Sequence, residues 1–312
     1  MIRNSILCVA ISLAALCTIQ AQDEMTPEAP IRTSQTFNDN RLVHSASVEM
    51  LEKGKMELRL NQLFGAMKDF NNIGETFFGL EKTSDISIGA AYGLSENINV
   101  GLFRAKGGGF MSDGAKGMRQ LLNGSVKYRV LRQVEGKGMP VTVTLSGLVT
   151  LATEKKVENE TTAIHSYPKF SHRLAYHGQI MVARKFSDRF SIQASGAYTY
   201  RNLVPSDDVQ GIYSAGLGAR YQVAPWLGLV GDVVVPISQS RTPELGYYPV
   251  YGLGFEFKTG CNIFQINLSN ASGIAETDYL PYNTGNWSEG DFRLGFSLSR
   301  TFGFKTKKTD TN

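Results

Sequence analysis

Cysteine is almost absent. The 312 residues hold three, and two of these, Cys8 and Cys17, fall within the first 21 positions. Without that segment Cys261 stands alone, which excludes an intramolecular disulfide and a cysteine metal cluster. Long apolar runs are lacking too. A membrane helix needs about 20 consecutive apolar residues, and the mean hydropathy of −0.16 fits no bundle of such helices. Charge of one sign is missing: 32 Lys and Arg against 28 Asp and Glu leaves +4. No field of that size argues for nucleic acid. What is present excludes a disordered chain, since 42% of residues are hydrophobic and 10% aromatic. Glycine is plentiful at 32 residues, above its usual share of about 7%.

The first 21 residues read as an address. Arg3 is followed by an apolar stretch over 6–16 and a small residue, Ala21, before Gln22, Asp23 and Glu24. This is the layout of a secretory signal peptide. A lipid anchor on Cys17 is disfavoured by the bulky Leu16 before it. Removing 1–21 takes away one Arg and no acid, so the charge becomes 31 − 28 = +3. An exported chain without a disulfide needs another source of stability, and a membrane supplies one. Residues 22–54 follow, of which 22–40 are polar, carry Pro27 and Pro30 and show no period. They read as a periplasmic leader. Its segment 45–51, with Glu49, is a candidate lumen plug or else an extra edge strand.

From Lys55 onward apolar residues alternate with polar or small ones, the period of a β-strand. Leu122, Gly124, Val126, Tyr128 and Val130 alternate with Asn123, Ser125, Lys127 and Arg129. Twelve such segments follow one another over 55–304, many near the 9–11 residues of a tilted transmembrane strand. Their connections alternate strictly. Short ones fall at 94–97, 133–139, 187–189, 224–225 and 259–260. Longer ones fall at 65–83, 106–119, 154–170, 205–210, 239–247 and 270–290. An all-β, up-and-down transmembrane barrel puts every long loop on one rim and every short turn on the other. Greek-key crossings of a sandwich would be irregular. The basic residues 305–312 form a C-terminal tail.

Parity assigns the two faces. Glu57, Arg59, Asp85, Lys127, Arg129, Arg173, His177, Gln179, Lys185, Arg201, Arg220, Asp232, Glu256, Lys258 and Arg293 point to the lumen. Basic members outnumber acidic ones. Tyr92, Tyr128, Phe186, Phe190, Tyr198, Tyr200, Tyr221, Trp226, Tyr251, Phe302 and Phe304 gather toward strand ends. Aromatic residues so placed form girdles at the two headgroup levels.

Several local runs carry a resemblance. They are Thr36-Phe37, Arg41, His44-Ser45, Ser47-Val48-Glu49, Lys53-Gly54 and Leu63-Phe64-Gly65. Further along come Lys127-Tyr128-Arg129, Leu131-Arg132-Gln133, 139–143, 183–189 and 201–205. Together these resemble a family of outer-membrane β-barrel proteins of the Bacteroidota, a domain of unknown function. The resemblance runs from Thr36 to the C-terminus. It implies a barrel in the outer membrane of a Gram-negative bacterium, and it implies no activity.

Three functions are weighed. A basic-lined lumen suits a narrow passive pore for small solutes, with an anion preference. Twelve strands lie between eight, which side chains fill, and sixteen, which leave a channel. A non-conducting barrel acting through its long loops is therefore the alternative. A lipid hydrolase is third, because it needs Ser and His in mutual reach. His165 and His172 each adjoin a serine in sequence, but neighbours on a strand face opposite ways. No catalytic residue, metal or cofactor is assigned. The expected partners are outer-membrane lipid and lipopolysaccharide, the barrel-insertion machinery and small solutes. Gly107-Gly108-Gly109 reads as a surface loop rather than a phosphate cradle. Asp207-Asp208, Glu276 with Asp278, and Glu154 with Glu158 and Glu160 read as solvated loop acids rather than cation sites.

Overall fold

The computed structural model describes residues 35–67, 79–80, 83–107, 119–135, 138–156 and 164–303. The signal segment, residues 22–34 of the leader, Gly108, Gly109, Glu158, Glu160, Phe304 and the basic tail lie outside the described residues. Twelve strands follow in chain order: β1 (Lys55–Met67), β2 (Thr83–Ser95), β3 (Ile98–Lys106), β4 (Gln120–Leu131), β5 (Thr142–Ala152), β6 (Leu174–Lys185), β7 (Phe190–Arg201), β8 (Gly211–Ala224), β9 (Leu227–Ile237), β10 (Val250–Thr259), β11 (Asn262–Ser269) and β12 (Phe292–Gly303). Each pairs antiparallel with its sequence neighbours. β1 then pairs with β12, from Lys55 opposite Gly303 to Met67 opposite Phe292. This is the closed up-and-down barrel that the alternation predicts. Closure leaves no edge strand, so the backbone ladder is satisfied without water.

The pleat divides apolar from polar residues. Ser87 is 3% exposed while its neighbour Ile88 is 63% exposed. Leu58, Leu102, Leu217, Leu253 and Phe255 likewise stand outward and bare. In water such a surface would be severely unfavourable, at roughly 25 cal/mol per Å² of apolar area. In hydrocarbon it costs nothing. The aromatic residues mark two ends of this band. Tyr92, Tyr128, Phe186, Phe190, Tyr221 and Trp226 stand outward near the short-turn rim, as does Phe302. Tyr198, Tyr200 and Tyr251 stand toward the long-loop rim, with Tyr198 paired to Tyr213 at 4.8 Å between centroids.

Two segments between or before strands fold inward. Residues 39–46 form a hairpin inside the lumen, with an antiparallel bridge from Arg41 to Ala46. The amide of Leu42 donates to the Ser45 carbonyl at 2.9 Å, and that of Ser47 to Asn40 at 2.9 Å. Residues 45–51 are therefore not an extra edge strand, since every strand edge is already paired around the barrel. Phe37, Leu42, Ala46 and Val48 pack on Met181, Ala183 and Val230 of the wall. From the other rim, the connection between β11 and β12 dips inward. It carries a short helix, α1 (Glu276–Tyr282), whose seven residues are all buried. The expectation of a loop lying outside the barrel is overturned here. Ile274, Tyr279 and Leu280 are apolar, and they bury against Leu63, Val234 and Val250.

Candidate functional site

The lumen with its two inserts is the candidate site. The hairpin is tied to the wall by polar groups almost throughout. At its tip, one oxygen of Asp232 on β9 accepts from the amides of His44 (2.8 Å) and Ser45 (2.7 Å) and from the Ser45 hydroxyl (2.7 Å). His44 Nε2 lies 2.6 Å from the Ser269 hydroxyl. Burial holds the His44 imidazole below its usual range, although Asp232 pulls the other way. On the sides, Gln193 of β7 accepts from Val48 N (2.9 Å) and donates to Ala46 O (2.8 Å). The Lys127 ammonium donates to the carbonyls of Asn40 (3.2 Å) and Glu49 (2.9 Å). Nearer the short-turn rim, Arg59 pairs with Asp39 and with Glu57, the latter at 3.0 Å. Asn38 donates to Glu256 at 2.8 Å, and Glu256 also takes Arg220 at 2.9 Å. Half-buried Glu49 turns back to its own segment and accepts from the amides of Thr36 and Phe37.

The wall is shaped for this hairpin. A Cβ at Gly218 would lie 2.1 Å from Leu42 Cδ1, and one at Gly252 would lie 2.7 Å from Val43 Cβ. Val43 is stiff at its branched carbon and has no rotamer that escapes. Gly252→Val therefore leaves the strand ladder intact but expels the hairpin tip, at about 1–3 kcal/mol for overpacking. The expected outcome is rapid trypsin cleavage after Arg41 in the folded barrel, where the unaltered protein resists. Equal resistance in both would mean that the tip does not sit on Gly252.

The two inserts touch. Arg41 of the hairpin pairs with Glu276 of α1 at 3.0 Å. The rings of His44 and Tyr279 meet edge to face, 5.8 Å apart. The loop is anchored above by Asn270, which donates to Pro249 O and Gly285 O, and by Asn283, which donates to Tyr248 O. Thr277 meets Thr150 of β5 at 2.6 Å. Gly273 N donates to Asp85, which also lies 3.8 Å from Arg293. Of the acids read as solvated in the sequence, Asp207 is exposed and Asp208 half-buried, while Glu154, Glu276 and Asp278 are buried. Glu276 and Asp278 lie in the lumen, and Asp208 takes Arg201 (3.1 Å) and Arg241 (2.6 Å).

Not every residue assigned to the lumen by parity reaches its middle. Arg129 bonds Asn97 and the Glu96 carbonyl at the short-turn rim. Lys185 pairs there with exposed Asp188 at 2.9 Å. Lys258 reaches Gln35 and Asn38 at the same end. Arg173 sits at the opposite rim, donating to the carbonyls of Ala152 and Glu154 and stacked 4.2 Å over Tyr167. Arg201 also lies high, beside Tyr282. Asp39 and Glu49 arrive with the leader segment and Glu276 and Asp278 with the inward loop, and these acids offset the basic surplus of the wall. Sequence parity missed them because they sit on no strand. The signal that could have found them is the apolar content of both segments: Phe37, Leu42 and Val48, then Ile274, Tyr279 and Leu280.

A cavity of about 100 Å³ remains beside the hairpin. It lies against β1–β6, with Arg41 and Ala46 on one side and Ile274 and Glu276 on another. His177 and Gln179 line it, and His177 Nδ1 is 2.9 Å from the Thr199 hydroxyl.

Solved structures with a similar trace include the NanC porin, at 7% identity and TM-score 0.46, covering 80% of this chain and 100% of that one. The KdgM porin is 6% identical at TM-score 0.46, covering 80% of this chain and 99% of its own. An outer membrane channel from Pseudomonas putida F1 is 12% identical at TM-score 0.41, covering 82% and 98%. No curated protein matches the chain. The profile of one family, described as a membrane bound beta barrel domain (DUF5777), matches residues 37–302, from the lumen hairpin to the last strand. The chain belongs to that family of membrane-bound β-barrel domains.

Proposed function

We propose that this barrel is an outer-membrane conduit for small solutes, closed at rest, with hairpin 39–46 as its movable gate. The inward loop 270–290 is the fixed constriction. One observation carries the reading: the barrel is hydrogen-bonded to itself all the way round, and the hairpin adds no strand to it. The hairpin can therefore leave without breaking a ladder. Besides the apolar packing of Leu42, Ala46 and Val48, what holds it is polar contacts that water can replace, the neutral ones contributing about 1 kcal/mol each and those to charged groups about 1.5–3. The reading includes no chemical step. A Gram-negative outer membrane, with its lipid and lipopolysaccharide around the apolar band and insertion machinery to place it, is part of the same proposal.

A second reading has its own support. The contact of Arg41 with Glu276 joins the two inserts into one filling, as expected of a non-conducting barrel that acts through its outer surface. Planar-bilayer recording separates the two. The full chain should be silent apart from rare openings, and a chain lacking 35–51 should conduct steadily. Silence of the shortened barrel at every voltage would overturn the conduit and leave the second reading.

A further inference from the structure

The cavity beside the hairpin has a chemistry of its own. Its charged neighbours are already matched. Arg59 is held by Asp39 and Glu57, Arg41 by Glu276, and Lys127 by two backbone carbonyls. Lys127 has the Glu57 and Glu49 carboxylates as its nearby counter-charges, so a charged solute would either break an ion pair and leave a buried charge uncompensated or enter a site whose charges already balance. The remaining wall is neutral and rich in hydroxyls and amides: Asn61, Ser87, Ser125, Ser146 and Gln179, with the ring of Phe103 among them. These residues come from six consecutive strands, β1–β6, so they form a continuous surface. Ser125 has its space only because Gly101 faces it, where a Cβ would lie 2.5 Å from the hydroxyl.

One group is left over. His177 is 6% exposed, and its Nε2 meets no hydrogen-bond partner among the described residues. A buried polar atom without a partner costs about 1–3 kcal/mol, a cost that a ligand can remove. An apolar cavity of about 150 Å³ takes the six carbons of benzene, so about 100 Å³ holds roughly four atoms at that packing, and glycerol's six where O–H···O contacts of about 2.7–2.8 Å replace carbon contacts of about 3.5–4.0 Å. From this geometry we infer that the cavity is a binding site for one small uncharged polyol, of glycerol's size, whose hydroxyls bond the Ser, Asn and Gln groups and His177 Nε2 while its carbon face lies on Phe103. The inference takes from the proposed conduit only that solutes reach the lumen.

The test is equilibrium dialysis of the purified full-length protein against radiolabelled glycerol, with labelled glycine and inorganic phosphate as charged probes. Glycerol should bind saturably, one per chain, and more tightly than either charged probe. Ser125→Leu, which fills the cavity, and His177→Leu, which removes the unpartnered nitrogen, should each weaken binding by about tenfold or more. Folding of each is checked by its faster gel migration before heating. The comparison of the three probes on the unaltered chain decides the matter even where a variant does not fold. Absence of saturable glycerol binding, as for a cavity holding water alone, would overturn the inference. So would tighter binding of phosphate or glycine, or undiminished affinity in folded variants. Binding without conductance in the chain lacking 35–51 would remove the conduit and keep the site. Conductance without binding would do the reverse.

Discussion

Asp232→Ala should turn a mostly closed barrel into a frequently open one. A single carboxylate oxygen takes three donors from the hairpin tip, at 2.7–2.8 Å. Hydrogen bonds to a charged acceptor contribute about 1.5–3 kcal/mol each. Truncation also removes a buried charge, so part of that sum is returned as relieved desolvation. A net loss of about 3 kcal/mol raises the hairpin-out population by about two orders of magnitude. Two measurements follow it: open probability in planar bilayers, and trypsin cleavage after Arg41 in the folded barrel. Asp232→Asn keeps one carbonyl oxygen at the same place and should show a smaller rise. If Asp232→Ala leaves both measurements unchanged, the tip contacts do not set the gate. A rise in cleavage without a rise in open probability would mean that the inward loop alone closes the lumen.

Most of the barrel wall was legible in the sequence, and for one physical reason. A residue on a barrel strand has one of two environments, lipid or lumen, and the pleat assigns them alternately. The run from Leu122 to Val130 therefore states its own orientation, and the structure places Asn123 and Lys127 inside and Val126 and Tyr128 outside. Chain closure was legible from the strict succession of long and short connections. Of the inserts, only the leader was foreseen, as a plug at 45–51, and its contacts with Gln193 and Thr144 put that segment in the lumen; the turn at its tip and the inward loop were not legible, because nothing periodic marks them. Helix α1 has only seven residues, Pro281 within it and no capping side chain at Ala275. Its helical form is imposed by the lumen around it rather than by local propensity. The hairpin escaped for a similar reason: four residues between Arg41 and Ala46 carry no Gly or Pro to announce a turn. Parity also says nothing of height along a strand. This is why Arg129 and Lys185, inward by parity, end at a rim with partners from the turns.

The long-loop rim offers the other large effect, at Asp208. This one carboxylate joins Arg241, through both oxygens at 2.9 and 2.6 Å, to Arg201 at 3.1 Å. Arg201 is fully buried, and the Arg241 side chain is nearly so. The same two guanidinium groups hold the end of α1. Arg241 donates to the Pro281 carbonyl at 2.7 Å, and Arg201 meets the Tyr282 hydroxyl at 3.3 Å. Asp208→Ala leaves two buried cations with carbonyls and a phenol but no counter-charge. Breaking a buried pair in this way costs about 3–5 kcal/mol, and the remaining contacts put this case near the lower figure. The loss should appear locally, as faster hydrogen exchange over 279–285 while the strands stay protected. Acid should imitate the variant. Burial alone would raise the Asp208 pKa, yet hydrogen bonds and charge from Arg241 and Arg201 outweigh it and hold the carboxyl below its ordinary 3.8. A lowered pKa stabilises the folded rim above the unfolded value, and that contribution fades as pH falls through the folded one. Exchange over 279–285 should therefore be flat from pH 7 to pH 5, once intrinsic rates are divided out. It should accelerate only below about pH 3.8. In Asp208→Ala it should already be fast at pH 7, with no such step. If loss of the carboxylate left α1 as protected as before, the loop would be held by Asn270 and Asn283 alone.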